Sequence, residues 1–151
     1  MKIDTREFGL LDYEESAVLL FPEGLMGLEH LHRFLILDQD AVEPLRWLQS
    51  VDEPAIAFPV IDPGLVFPDY HARMSHEDRE ALGLQPGEEP IVLALVTVPK
   101  DPAEMTANLL GPLVLNPARH VGRQVVQHDS QYGTRQRLIP DAAEARDVVT
   151  V

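Results

Sequence analysis

Prolines and glycines recur along almost the whole of this chain, thirteen and nine of them in 151 residues. Proline fixes φ and removes a backbone donor, and neither residue suits the interior of a long helix. Such punctuation leaves room for short strands and turns, and β-type runs do recur between the breaks. They fall at residues 17–21, 33–39, 55–61, 91–98, 111–116 and 121–127. The run 91–98, IVLALVTV, is apolar at successive positions, as expected of a strand covered on both faces in a closed or two-layered sheet. Pro90 and Pro99 bracket it and set its length. Pro59 interrupts 55–61, so it belongs on an edge or at a bulge, where no ladder donor is required.

One segment reads as a helix. Ser75 is placed as an N-cap, Glu77 and Asp78 put acids in the first turn, and Gly83 stops the helix after Leu82. Residues 101–105, DPAEM, suit a further brief helical turn with Pro102 at its first position. There is no internal repeat. The pattern predicts a mainly β, compact antiparallel barrel-like or two-layer single domain with one or two short helices. Its expected extent is 1–138, followed by a C-terminal tail, 139–151, that is either flexible or an edge strand through Val148, Val149 and Val151.

The hydrophobic fraction of 45% suits a folded domain, and the absence of cysteine excludes disulfides and thiolate metal sites. The first fifteen residues carry five acids and no apolar stretch of the kind a secretory signal needs. No run approaches the ~20 apolar residues of a membrane span. The expectation is a cytoplasmic protein that does not engage membranes.

Charge narrows the partners. The net value is −13, concentrated in residues 1–105, whereas 106–151 is mildly basic through Arg119, Arg123, Arg135, Arg137 and Arg146. A nucleic-acid binder needs a basic face, so direct phosphate binding is disfavoured. A large negative potential suits a basic protein partner, although solubility alone also explains it.

Catalytic grammar is missing. The serines Ser16, Ser50, Ser75 and Ser130 lack a nucleophile elbow, and Ser75 is used as a helix cap. Gly24 and Gly27 match neither a P-loop nor a dinucleotide fingerprint and read as turn glycines. His30 and His32, or His71 and His76, lack metal-ligand spacing. Glu14-Glu15, Asp52-Glu53 and Glu88-Glu89 are sequence neighbours whose side chains point apart on extended chain. No catalytic residue, metal or cofactor is expected. Trp47 and Tyr70 fall among turn-rich segments and are candidates for exposed hot spots, with core packing as the alternative.

Three Gly/Pro-punctuated, mostly uncharged segments stand out: 21–29 (FPEGLMGLE), 44–63 (PLRWLQSVDEPAIAFPVIDP) and 106–116 (TANLLGPLVLN). Together with Phe34-Leu35-Ile36-Leu37, Asp69-Tyr70, Gln124-Val125, Tyr132 and Arg135, they resemble in order the bacterial flagellar assembly factor FliW family over residues 21–138. In one respect the chain departs from the family pattern, which has GLPGFE in the first turn where Met26 and Leu28 stand here. Losing that proline removes a φ restraint.

The resemblance implies a compact, mostly antiparallel β-barrel-like fold without catalysis, monomeric when free. It also implies two mutually exclusive protein partners: flagellin, held in the cytoplasm before export, and the basic RNA-binding repressor CsrA, which blocks translation of flagellin messenger RNA. Freed by flagellin export, such a protein binds CsrA and relieves repression. The expected partner contact comprises Asn108, Leu109, Pro112 and Asn116, with Phe21, Gly24 and Gly27 shaping the neighbouring loop. Alternatively, Asn108 and Asn116 satisfy backbone groups in irregular loops. A flagellin-dedicated export chaperone without a regulatory role shares the fold and the acidity. A small barrel enzyme for a flavin or sugar phosphate would need a pocket with convergent polar groups.

Overall fold

The computed structural model describes residues 1–38, 44–128 and 131–139. Eleven strands follow one another: β1 Lys2–Thr5, β2 Gly9–Asp12, β3 Leu19–Leu20, β4 Arg33–Leu37, β5 Arg46–Ser50, β6 Ala57–Ile61, β7 Ile91–Thr97, β8 Thr106–Ala107, β9 Leu113–Asn116, β10 Val121–Gln124 and β11 Gln136–Arg137. Seven of them close a ring in the order β7-β6-β5-β4-β3-β10-β9 and back to β7. The fold is therefore a closed barrel, antiparallel at every junction except β3 with β10, and closure removes the edges that an open sheet would expose.

β7 makes closure possible. One of its sides pairs with β6 through Ala94 and Leu95; the other pairs first with β9 through Ile91–Leu93 and then with β8 through Val96 and Thr97. A strand with partners on both sides has little exposed backbone, which explains its nearly unbroken apolar sequence. β8 and β11 extend the sheet beyond the ring.

The interior is filled by Leu19, Phe21, Leu25, Leu31, Phe34, Leu48, Val60, Leu93, Leu113 and Leu115. Three smaller apolar clusters cover the outer wall. The β1–β2 hairpin packs with Leu35 and Val51 through Ile3 and Leu11. The helix α1, His76–Leu82, seats Leu82 against Val114 and Val125. The segment after β6 lays Phe67 and Tyr70 against Ala94, Val96 and Leu109. β9 shows the strand period directly: Leu113 and Leu115 face inward while Val114 meets the helix.

Sequence expectations of helix caps are met. The Ser75 hydroxyl accepts from the Asp78 N–H at 3.1 Å, the Asp78 carboxylate accepts from the Ser75 N–H at 2.9 Å, and Gly83 closes the helix at φ +68°. A 3₁₀ turn, Pro102–Glu104, stands where the brief helix was expected, capped by Asp101.

Strand boundaries moved, and each shift has a local cause. The run 17–21 contracts to Leu19–Leu20 because a 3₁₀ turn, Glu15–Ala17, precedes it. The run 55–61 begins at Ala57 because 50–56 forms a tight connection, held by Ser50 N–H to Ile56 C=O at 3.0 Å and Ile56 N–H to Glu53 C=O at 3.0 Å. Gln39, the expected end of the run 33–39, and the tail from 140 onward lie outside the described residues.

Pro59 sits inside the barrel wall, opposite Trp47 of β5. Because Ser50 and Ile56 form a hydrogen-bonded pair, alternation makes Trp47 and Pro59 a non-hydrogen-bonded one. The missing N–H thus faces β7, whose pairing with β6 starts only at Val60. In this register it would meet the Val96 carbonyl, so the β6–β7 ladder forgoes one bond there, and Pro59 lies between two strands, not on the sheet edge that was expected.

Candidate binding surface around strand β10

Asn108 and Asn116 hold turns. The Asn108 Oδ1 accepts from the N–H groups of Leu110 (3.1 Å) and Gly111 (2.9 Å). Asn116 is buried; its Nδ2 donates to the Leu82 carbonyl at the helix end (2.8 Å) and its Oδ1 accepts from the Ala118 N–H (3.1 Å). The backbone-satisfying alternative is the one observed. Leu109 is fully buried, and its carbonyl accepts the Tyr70 hydroxyl at 2.8 Å. Pro112 is buried and its carbonyl accepts the Val125 N–H at 3.0 Å.

Phe21 lies in the barrel core, edge-to-face with Phe34 at 5.4 Å. Its ring needs the absent side chain of Gly122, where a Cβ would approach it to 2.6 Å. Gly24 has φ +69° and a Cβ there would meet the Glu29 backbone at 2.5 Å, so this position accepts no other residue without rebuilding the loop. Leu25, Met26, Gly27 and Leu28 form a turn closed by Leu28 N–H to Leu25 C=O at 2.8 Å, with Gly27 at φ +82° as a type II turn requires. As direct contacts, Phe21, Leu109, Pro112 and Asn116 are thus corrected to structural positions: their side chains are occupied inside the fold.

Met26 occupies the turn position at which proline is favoured. Its N–H, which a proline would lack, donates to the Gln124 Oε1 at 2.8 Å. Gln124 Nε2 donates in turn to the Gly111 carbonyl at 2.9 Å. One side chain on β10 therefore ties together the segments 21–29 and 106–116, far apart in sequence. Met26 itself is exposed.

Arg123 organises the next turn of surface. Its guanidinium pairs with Glu23 (Nε–Oε2 3.2 Å), Asp78 (3.5 Å) and Glu77 (3.6 Å), linking the first loop to the start of α1. Gln127, nearly buried, uses its amide as a strand backbone would: Oε1 accepts the Arg73 N–H at 2.7 Å and Nε2 donates to the Arg73 carbonyl at 3.0 Å. These contacts fix residues 69–75 beside β10, and an open cleft of about 710 Å³ lies between the two. Its volume is within the ligand range, and Arg123, Asp78, Gln127 and Gln124 on its walls are all paired within the protein.

Trp47 and Tyr70 also resolve. Trp47 is half-buried on the barrel wall, edge-on to Phe8 at 5.4 Å. Tyr70 is buried, and its hydroxyl is pushed up to about 12 by burial and then by Tyr132, whose ring lies 5.4 Å away. It is a core residue, not an exposed hot spot. His30 meets Glu53 (2.8 Å) and His32 meets the Phe21 carbonyl (3.1 Å), so the two do not share a site. Beside them, burial alone would raise the Asp52 carboxyl, but the N–H of His32 and the side chain and N–H of Arg33 together hold it below the usual range. Among the described residues no group of three His, Cys, Asp or Glu is placed to hold a metal ion, and no helix is long and apolar enough to cross a membrane.

These features define a small closed β-barrel whose distinctive chemistry lies on its outer wall. Its sequence from 2 to 138 matches the family model described as FliW protein. It is 38% identical over 151 residues to a flagellar assembly factor FliW of Natranaerobius thermophilus, covering 99% of this chain and 100% of that one. To a flagellar assembly factor FliW of Geotalea uraniireducens it is 42% identical over 135 residues, covering 89% and 82%. A crystal structure of the flagellar assembly factor FliW superimposes with a TM-score of 0.87 at 30% identity, over 94% of this chain and 99% of the other. The chain belongs to the FliW family.

Proposed function

We propose that this protein is a non-catalytic, cytoplasmic flagellar assembly factor that works by exchanging two protein partners. In this reading it holds flagellin before export. Once freed, it binds CsrA and relieves repression of flagellin translation, so that secretion feeds back on synthesis. The observation that carries the proposal is membership of the FliW family over residues 2–138 in a chain of net charge −13. A repressor that holds RNA must be basic, and an acidic partner docked beside the RNA site weakens RNA binding by like-charge repulsion and steers its own approach. Asn108, Leu109, Pro112, Asn116, Phe21 and Gly24 enter this reading as residues that shape the contact surface from beneath, while Gly27, Met26 and Glu23 stand exposed in the first loop.

The test is a titration of the purified protein against CsrA and flagellin, alone and in competition, at two ionic strengths. The proposal expects both to bind, each to exclude the other, and CsrA binding to weaken as salt rises. Flagellin binding without CsrA binding would replace it with the dedicated export chaperone. Simultaneous binding of both partners would overturn the exchange.

A further inference from the structure

β3 contributes two residues to the barrel and meets β10 at one position, Leu20 with Val121. The chain then turns away at Phe21, while β10 runs on. On the β9 side that strand keeps its bonds well past its formal end: Val125 N–H reaches the Pro112 carbonyl and Gln127 N–H the Leu110 carbonyl. By alternation, Val121, Arg123, Val125 and Gln127 face β9, and Gly122, Gln124 and Val126 face the other way. No described strand lies along Gln124 and Val126 on that side. Among the described residues, the barrel thus leaves a stretch of strand edge open where β3 departs.

This edge differs from the free edge of β11, at the far end of the sheet. β11 is two residues long. The edge at Gln124 and Val126 instead borders the cleft whose opposite wall is the segment 69–75, held in place through Gln127. Natural proteins cover or blunt an exposed edge, and β10 carries no proline or lysine that would do so. Val126 is exposed there, beside the side chain of Gln124. The cleft also has a sign. Glu23, Asp69 and Asp78 line it against Arg73 and Arg123, and Arg123 is also paired with Glu77.

We propose that this edge is a peptide-docking site: an extended segment of a partner protein bearing lysine or arginine adds a strand to β10, taking the place that β3 vacates. Backbone bonds to Gln124 and Val126 supply affinity, and the carboxylates of the cleft select a basic sequence. The site is defined by its chemistry and stands apart from the exchange of flagellin and CsrA, so either can fail without the other.

The test uses the full chain and a fluorescein-labelled, end-capped octapeptide of alternating lysine and threonine, with the glutamate–threonine peptide as control. Saturable anisotropy for the lysine peptide, at least about tenfold tighter than for the glutamate peptide, is expected. Bound peptide should slow amide exchange at Gln124 and Val126. Val126→Pro removes the edge donor without touching the β9 ladder and should weaken binding about tenfold, whereas Val126→Ala stays within about threefold. Asp69→Lys, on an exposed loop, should weaken it about fivefold and gives a second readout should the proline variant fold poorly. The proposal is overturned by absence of saturable binding, by equal binding of the two peptides, by protection appearing on another edge, or by a folded Val126→Pro or Asp69→Lys variant that binds as the parent does.

Discussion

The two edges of β10 are treated in opposite ways. Its β9 edge is bonded from Val121 through Gln127, with the Val125 and Gln127 N–H groups on the Pro112 and Leu110 carbonyls. Its other edge is paired with β3 at one position and, among the described residues, is then left open beside a cleft. One strand therefore separates the part of the molecule that makes the fold from the part that is free to bind. The Gly- and Pro-punctuated segments belong to the first part, although their lack of charge suggested the second.

Substitutions in those segments should break the fold before they break any contact. Replacing Asn108 and Leu109 together with alanine removes a fully buried leucine and a turn cap, and should lower stability by about 3–5 kcal/mol in urea unfolding. A nearly unchanged melting temperature would return these residues to the surface. Gly24→Ala should cost more than Gly27→Ala. Both positions have positive φ, worth about 1–2 kcal/mol each, but only at Gly24 does the added carbon collide with backbone. Equal losses would mean that the loop around Glu29 yields.

Smaller effects sharpen the contrast on the latch between the two regions. Gln124→Ala removes the bonds to Met26 and Gly111 and should lower stability by about 1–2 kcal/mol. Met26→Pro restores a φ restraint but deletes the Met26 donor, so the two terms offset to within about 1 kcal/mol. Tyr70 adds a pH signature. Its hydroxyl titrates near 10 when unfolded and at about 12 when folded, so its contribution is intact below pH 10 and is lost as pH rises toward 12. Alkaline unfolding followed with Tyr70→Phe should show a flatter loss over that window.

Much of the fold was legible in the sequence because backbone chemistry dictated it. Ser75, Asp78 and Gly83 mark the helix, and the apolar run bracketed by Pro90 and Pro99 marks the strand that closes the barrel. β5 was missed as a strand because Gln49 and Ser50, polar by type, are both buried; Gln49 Nε2 lies within bonding distance of the carbonyls of Ser50, Pro54 and Ile56. Side-chain polarity conceals a strand when its partners are backbone. The β1–β2 hairpin was hidden for a related reason, since Thr5 shapes its turn through its own hydroxyl, accepting from Phe8 N–H and donating to Gly9 C=O. The open edge had no sequence signal at all. It exists because β3 is short and turns away at Phe21, and only the three-dimensional register reveals which amides of residues 121–127 are left over.

Amide hydrogen exchange along residues 121–127 of the free protein tests this account most directly. The account predicts alternation: slow exchange at Val125 and Gln127, which bond Pro112 and Leu110, and fast exchange at Gln124 and Val126. Uniform protection through Gln127 would show that a further strand already covers the edge, and would contradict it.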